Sequence, residues 1–345
     1  MATPDPDTIE AHRESLSRMS KIGGPLRADA AAATVENPVW FQTVDGVYRP
    51  RAGRNKLHQK ILEDHRALRP NVAAGKRAII LAGPPGAGKS RVRDAVILSS
   101  GIPIDHWRII DADDFKARLL DAAIQDGSYM TSIVPQEIRE AMADGERFYP
   151  LELASLVHEE SSLLVRAARA DAIAADENVV LDTVLSSPST ALEIGKQLRA
   201  ADYEITVVEV ELERDASIAR SQERWREGYV KAEEGTGTQL GGRWVPEELP
   251  ASLYEPGKTD SRCRDAAHGL AHSQGAVTRY EEHRVDPATG APVLEVRYER
   301  SAVDRALKLV TSSPTSFPIS PPASLSASRS RPTAGSDVPG DDLSR

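Results

Sequence analysis

The run Gly83-Pro84-Pro85-Gly86-Ala87-Gly88-Lys89-Ser90 constrains this chain more than any other stretch, because it fits G-x-x-x-x-G-K-[ST]. Glycines in such a run let the backbone curl tightly, so that successive N–H groups point inward around an anion. A helix that starts at its end adds a positive N-terminus. In this reading Lys89 reaches the β- and γ-phosphates of ATP or GTP, and the Ser90 hydroxyl coordinates Mg2+. The flanks agree. Ala78 to Ala82 (AIILA) is a short apolar run suited to a buried parallel strand, and Arg91 to Ser100 is patterned as a helix.

The strand-loop-helix unit needs a sheet to belong to. Further strand patterns occur at 107–111 (WRIID), 178–182 (NVVLD) and 204–212 (EITVVEVEL). They alternate with helical patterns at 115–125, 152–175, 191–201 and 216–227. Such alternation predicts an α/β fold, a P-loop NTPase-type parallel sheet flanked by helices. Residues 1–75 are expected to form an N-terminal extension, partly helical, with Leu57, Ile61, Leu62, His65 and Leu68 at helical spacing. Residues 76–310 are expected to form the P-loop domain, with a hairpin over 278–300 turning at Asp286 to Gly290. The glycine-rich stretch 233–242 reads as mobile. The Ser/Pro-rich tail, 311–345, holds too little apolar surface to offset its ordering entropy, and disorder is expected there.

Composition narrows the partners. A hydrophobic share of 40% in 345 residues supports a real core, and a net charge of −9 argues against a general nucleic-acid binder. The single cysteine, Cys263, can form neither an internal disulfide nor a zinc cluster. The N-terminus lacks a basic start followed by an apolar stretch, and no segment approaches the roughly 20 apolar residues that cross a bilayer. A cytoplasmic protein with no membrane partner is expected.

The chemistry beyond the loop rests on acids and arginines. Asp111-Ala-Asp113-Asp114-Phe115-Lys116 closes the second strand, at the sheet edge where ligands bind in open parallel sheets. Asp113 is read as the carboxylate that accepts the proton of an attacking hydroxyl or helps hold Mg2+, and Asp114 as the cap of the following helix. Asp182 ends the third strand on the same edge, and Thr183 adds a polar contact there. Arg220 and Arg224 are four apart on one helix and share a face, while Arg243 follows the glycine-rich stretch. Arginines suit a transferring phosphate, and a mobile loop can carry one onto it. The histidines, His158 included, show no metal-ligand spacing and read as surface or core.

In order, the motifs GPPGAGKS, IIDADDFK, VVLD, the ERW helix and GRWVP resemble the zeta-toxin family of P-loop kinases over about 78–253. The resemblance implies ATP-dependent phosphorylation of the 3′-hydroxyl of UDP-N-acetylglucosamine, a nucleotide-sugar substrate. It also implies a toxin–antitoxin context with an antitoxin protein as partner. By position, Lys89 and Ser90 match the family's loop lysine and magnesium-binding hydroxyl, Asp113 its general base, and Arg224 and Arg243 its two phosphate-binding arginines. Asp182 matches an acidic substrate contact that is a glutamate of an E-G-T string in the best-studied members. Here the string is Asp182-Thr183-Val184. Two alternatives stand beside this reading. One is a P-loop kinase for a nucleoside, polynucleotide, antibiotic or dinucleotide acceptor, the other a non-catalytic, nucleotide-dependent binding module.

Overall fold

The computed structural model describes residues 4–311 and 315–316. The elements run α1 (Pro6–Met19), β1 (Phe41–Val44), β2 (Val47–Pro50), α2 (Ala52–Ala67), β3 (Arg77–Ala82), α3 (Lys89–Ser99), β4 (Arg108–Asp111), α4 (Ala112–Gln125), α5 (Gln136–Ala143), α6 (His158–Ala174) and β5 (Val179–Asp182). They continue α7 (Pro188–Ala200), β6 (Glu204–Glu211), α8 (Arg214–Glu233), α9 (Glu248–Ala251), α10 (Arg262–Ser273), β7 (Val277–Val285), β8 (Pro292–Glu299), β9 (Lys308–Thr311) and β10 (Thr315–Ser316).

The main sheet has the order β10-β8-β7-β6-β3-β5-β4, with β9 also paired to β8. Strands β4, β5, β3, β6 and β7 are parallel, and β8 turns back antiparallel to β7. The chain leaves β3 toward one side of the sheet and returns past it to β6. The crevice of an open parallel sheet forms at such a reversal, outside the C-terminal ends of the strands.

Alternation along each strand sends side chains to two layers. On one face Ala78, Ile80, Leu181, Ile205 and Val207 pack with residues of α4, α6, α7 and α10. On the other, Ile79, Leu81, Val180, Val208 and Val210 pack with Val92, Val96 and Ile97 of α3 and with Trp107. Strands covered on both faces read as near-continuous apolar runs, which is why the sequence exposed them.

The structure revises several expectations. The helix expected from 152 begins as a 3-10 stretch, Pro150–Val157, where the Glu152 carboxylate turns back to accept from the Tyr149 N–H at 2.7 Å. The glycines of 233–242 serve packing at Gly241 and Gly242. A Cβ on Gly242 would stand 2.0 Å from the Trp225 carbonyl oxygen, and one on Gly241 2.3 Å from the Tyr149 Cβ. Thr311 and Thr315–Ser316, placed in the tail expected to be disordered, are strand residues paired to β8, and the rest of that tail lies outside the described residues.

The N-terminal extension is fastened by a buried ion cluster. Arg54 donates to Glu160 through Nε at 2.5 Å and Nη2 at 2.7 Å, and the His58 Nε2 lies 2.7 Å from the same carboxylate. The Arg54 guanidinium also stacks over Trp40, 4.1 Å from its centroid. Hydrogen bonds outweigh burial at Glu160 and hold its carboxyl down at about 2. Removing the carboxylate leaves the Arg54 guanidinium charged and dry. Glu160→Ala should therefore cost about 3–5 kcal/mol in urea unfolding at neutral pH. A loss under about 1 kcal/mol would show that water reaches Arg54.

Candidate active site

Strand β3 ends at Ala82, and the loop that follows takes its shape from three glycines. Gly83, Gly86 and Gly88 have φ of 144°, 78° and 80°, a region costly for side-chain-bearing residues. At Gly83 space matters too, because a Cβ would stand 2.3 Å from the Val210 carbonyl oxygen of β6. At Gly88 a Cβ would meet nothing within 4 Å, so there the backbone conformation and not crowding favours glycine. Gly88 is the N-cap of α3, whose first residues are Lys89 and Ser90. The Lys89 ammonium bends back onto the loop, 2.9 Å from the Gly83 carbonyl oxygen and 3.4 Å from that of Pro84. Ser90 is exposed, and its hydroxyl has no hydrogen bond among the described residues.

The outward carbonyls of the loop are held by α8. Ser217 Oγ donates to Pro85 O at 2.7 Å, and Arg220 Nη1 to Gly86 O at 3.3 Å. Arg220 Nη2 also reaches Gly290 O at 3.3 Å, in the turn between β7 and β8. Arg220 thus supports the loop. Arg224, one turn further along, is exposed and makes no hydrogen bond or ion pair among the described residues.

Three carboxylates share the neighbouring edge. Asp111 and Asp182 are opposite each other at the ends of β4 and β5. Asp111 Oδ1 accepts from the Asp113 N–H at 2.9 Å, so Asp111 caps α4 and the exposed Asp114 does not. The reason is geometric: the helix begins at Ala112, two residues before Asp114. Asp113 Oδ1 accepts from Arg243 Nη1 at 2.8 Å and from Lys116 Nζ at 3.2 Å. Thr183 Oγ1 accepts from the Leu185 N–H at 3.1 Å, and the Val184 carbonyl accepts from the Gly83 N–H at 3.2 Å. Leu185, buried at 4% exposure with φ 52°, holds a strained backbone that keeps this turn against the loop.

The electrostatics separate these acids. Burial, then the charges of Asp113 and Asp182, push Asp111 up to about 6. Burial likewise raises Asp182, against the pull of Lys89, Arg93 and Arg224. Burial would raise Asp113 too, but Arg243 and Lys116 outweigh it and hold this carboxyl below its ordinary value, helped by Arg224. Desolvation lowers Lys116, although Asp113 opposes it. The His158 imidazole is lowered by desolvation and by the Lys116 charge.

The structure therefore brings Lys89, Asp113, Asp182, Arg224 and Arg243 to one edge, with Ser90 at the loop's helix start. Sequence reasoning gave no role to Asp111 or Lys116, and His158, read as surface or core, is exposed. Lys116 had a usable signal, since it stands one helical turn after Asp113 and faces it.

Known proteins bear on this geometry. The zeta toxin family profile matches residues 59–279, well over half of the chain and wider at both ends than the motifs alone suggested. No curated protein sequence matches the chain significantly. Among solved structures, the native AvrRxo1-ORF1:-ORF2 complex is similar with a TM-score of 0.50 and 14% identity, covering 75% of this chain and 70% of that one. The same complex with ATP gives 0.49 and 14%, covering 72% and 68%. The PezAT chromosomal toxin-antitoxin system of the human pathogen Streptococcus pneumoniae gives 0.43 and 12%, covering 67% and 78%. At such identity the likeness to the native AvrRxo1 complex concerns the fold alone.

Asp111 offers a test of the electrostatics. Its raised value means that folding favours the protonated form, a contribution present below the unfolded value and lost as pH rises through about 6. Asp111→Asn keeps a capping oxygen and removes the charge. It should raise stability at pH 7 by about 1 kcal/mol in denaturant unfolding, with the gain shrinking toward pH 5. A less stable variant at pH 7 would show that the Asp111 charge is compensated.

Proposed function

We propose an activity from one established premise: the chain belongs to the zeta toxin family, whose members are P-loop kinases. The reading is ATP-dependent phosphorylation of a small-molecule hydroxyl, with UDP-N-acetylglucosamine or a related nucleotide-linked compound as acceptor. One observation carries it. Asp113, ion-paired to Arg243 and Lys116, lies within electrostatic reach of Arg224 on the helix that props the phosphate loop.

The loop amides and Lys89 bind the nucleotide's phosphates, as in other G-x-x-x-x-G-K-[ST] loops. Asp113 stays ionised because its cationic partners hold it so, and the ionised form is the one that accepts a proton. The acceptor hydroxyl gives its proton to Asp113, its oxygen bonds to the γ-phosphorus, and the bond from that phosphorus to the bridging oxygen breaks to release ADP. Lys89, Arg224 and Arg243 offset the charge spread over the phosphoryl oxygens. Asp182 and Thr183 line the same edge and are assigned to the acceptor. Asp182 is one carbon shorter than the family's glutamate, which favours an acceptor seated closer to β5.

Ser90 fits the Mg2+-binding hydroxyl, being exposed at the first turn of α3 and without a hydrogen bond from its hydroxyl among the described residues. No group of at least three His, Cys, Asp or Glu among the described residues is placed to hold a metal ion. Mg2+ would be shared between Ser90 and the nucleotide's oxygens, whose charge it would neutralise. No helix among the described residues is long and apolar enough to cross a membrane. Family membership also supports an antitoxin protein as partner, testable as growth arrest on expression that Lys89→Ala relieves.

The deciding experiment incubates the purified chain with ATP, Mg2+ and a panel of nucleotide sugars, nucleosides, dinucleotides, oligonucleotides and aminoglycosides, read by mass spectrometry. One phosphorylated acceptor is expected, with Lys89→Ala and Asp113→Asn each lowering turnover by about 100-fold or more. Nucleotide binding without product from any acceptor would favour the binding-module alternative.

A further inference from the structure

Helix α1 lies before residue 59, outside the family profile, and its segment reaches the residue that follows Arg224 and the one that follows Arg243. Trp225 follows Arg224, and its Nε1 donates to Glu152 Oε1 at 2.8 Å. The His12 Nε2 lies 3.0 Å from the same oxygen, and the His12 Nδ1 lies 2.7 Å from Glu146 Oε1. Trp244 follows Arg243, and its Nε1 donates to Ser20 Oγ at 2.9 Å, while that hydroxyl donates to the Leu16 carbonyl at 2.8 Å. The two indoles meet edge to face, 5.3 Å apart at 81°. The segments that carry them are pressed together, because a Cβ on Gly228 would stand 2.4 Å from the Gly242 Cα and one on Gly242 2.0 Å from the Trp225 carbonyl oxygen.

His12 has an unusual setting. It is 3% exposed, and Glu152 is 1% exposed. A neutral imidazole carries one N–H and cannot donate to two carboxylates, whereas an imidazolium satisfies both. The rings of Phe148, Trp225 and Tyr229 also pack on it. Burial keeps the Tyr229 phenol protonated, so Glu146 and Glu152 are the charges that face His12.

We infer that the N-terminal segment through Ser20 is a built-in clamp that positions Arg224 and Arg243, with His12 as its positioning residue. The inference rests on the kinase reading for its purpose and on the contacts above for its existence. Burial alone would lower His12, but Glu152 and Glu146 outweigh it and raise it. The charged clamp is therefore complete below the unfolded value and loosens as pH rises through the raised one.

The test uses the full chain and two variants, His12→Gln and Ser20→Ala. The second leaves α1 intact and removes a single hydroxyl, so it stays informative if the first folds poorly. Amide hydrogen exchange without nucleotide should run at least about tenfold faster at 241–247 in both variants, with β3 unchanged. In the parent chain that exchange, corrected for intrinsic rates, should accelerate as pH rises beyond the ordinary histidine range, and His12→Gln should flatten the rise. Calorimetry with ATP and ADP supplies the second readout. ATP affinity should fall about tenfold, and ADP affinity, set by the loop, should stay within about twofold. Unchanged exchange in both variants overturns the clamp whatever the nucleotide data show. A parent chain that binds neither nucleotide removes the kinase reading and leaves the exchange test standing.

Discussion

Negative charge cannot be crowded at the end of a dry sheet without cations to hold it. The register that sets Asp111 opposite Asp182, together with the helix start that brings Asp113 beside them, creates that crowding. Cations answer it from several elements: Lys89 and Arg93 from α3, Lys116 from α4, Arg224 from α8 and Arg243 from the segment after it. Because the answers come from so many elements, the site exists only when the whole sheet and its helices are assembled. Its acids are unequal for the same reason. The carboxylate with two direct cationic partners stays ionised, and the one that is buried beside other acids is pushed toward protonation.

Much of this was legible beforehand, and the reason is physical. Buried parallel strands must be apolar throughout, so β3, β5 and β6 stood out as runs, and their C-terminal ends marked where chemistry would lie. The acids at those ends and the glycine loop could be placed from position alone. Arg243 could be placed too, although its surroundings were misjudged. Glycine content suggests freedom, yet Gly241 and Gly242 are glycine because side chains and backbone press on them. Composition does not distinguish a chain that needs to move from one that needs to fit.

What escaped the sequence has causes of its own. In α1 the buried stripe is Ile9, His12, Ser15, Leu16 and Met19, and the histidine and serine in the middle of it hide the apolar period. In α10 the buried face is Cys263, Ala266, Ala267, Leu270 and Ala271, small residues that raise little hydrophobic contrast. Lys116 was visible in the string but not as a site residue, because its weight comes from being 9% exposed beside Asp113. Burial of a charge is a tertiary fact. Asp111 took the capping role assigned to Asp114 because the helix starts earlier than its apolar pattern does.

Helix α8 acts as a mechanical link between the phosphate loop and Arg224. Amides that turn inward in the phosphate loop leave carbonyls turned outward, and those of Pro85 and Gly86 are satisfied by Ser217 and Arg220. The same rod carries Arg224 one turn on, a spacing of about 6 Å fixed by helix geometry. Loop and arginine therefore share one rigid ruler. Thermal displacement of either is transmitted to the other, and the distance between the groove and its guanidinium is preserved while the surrounding segments breathe.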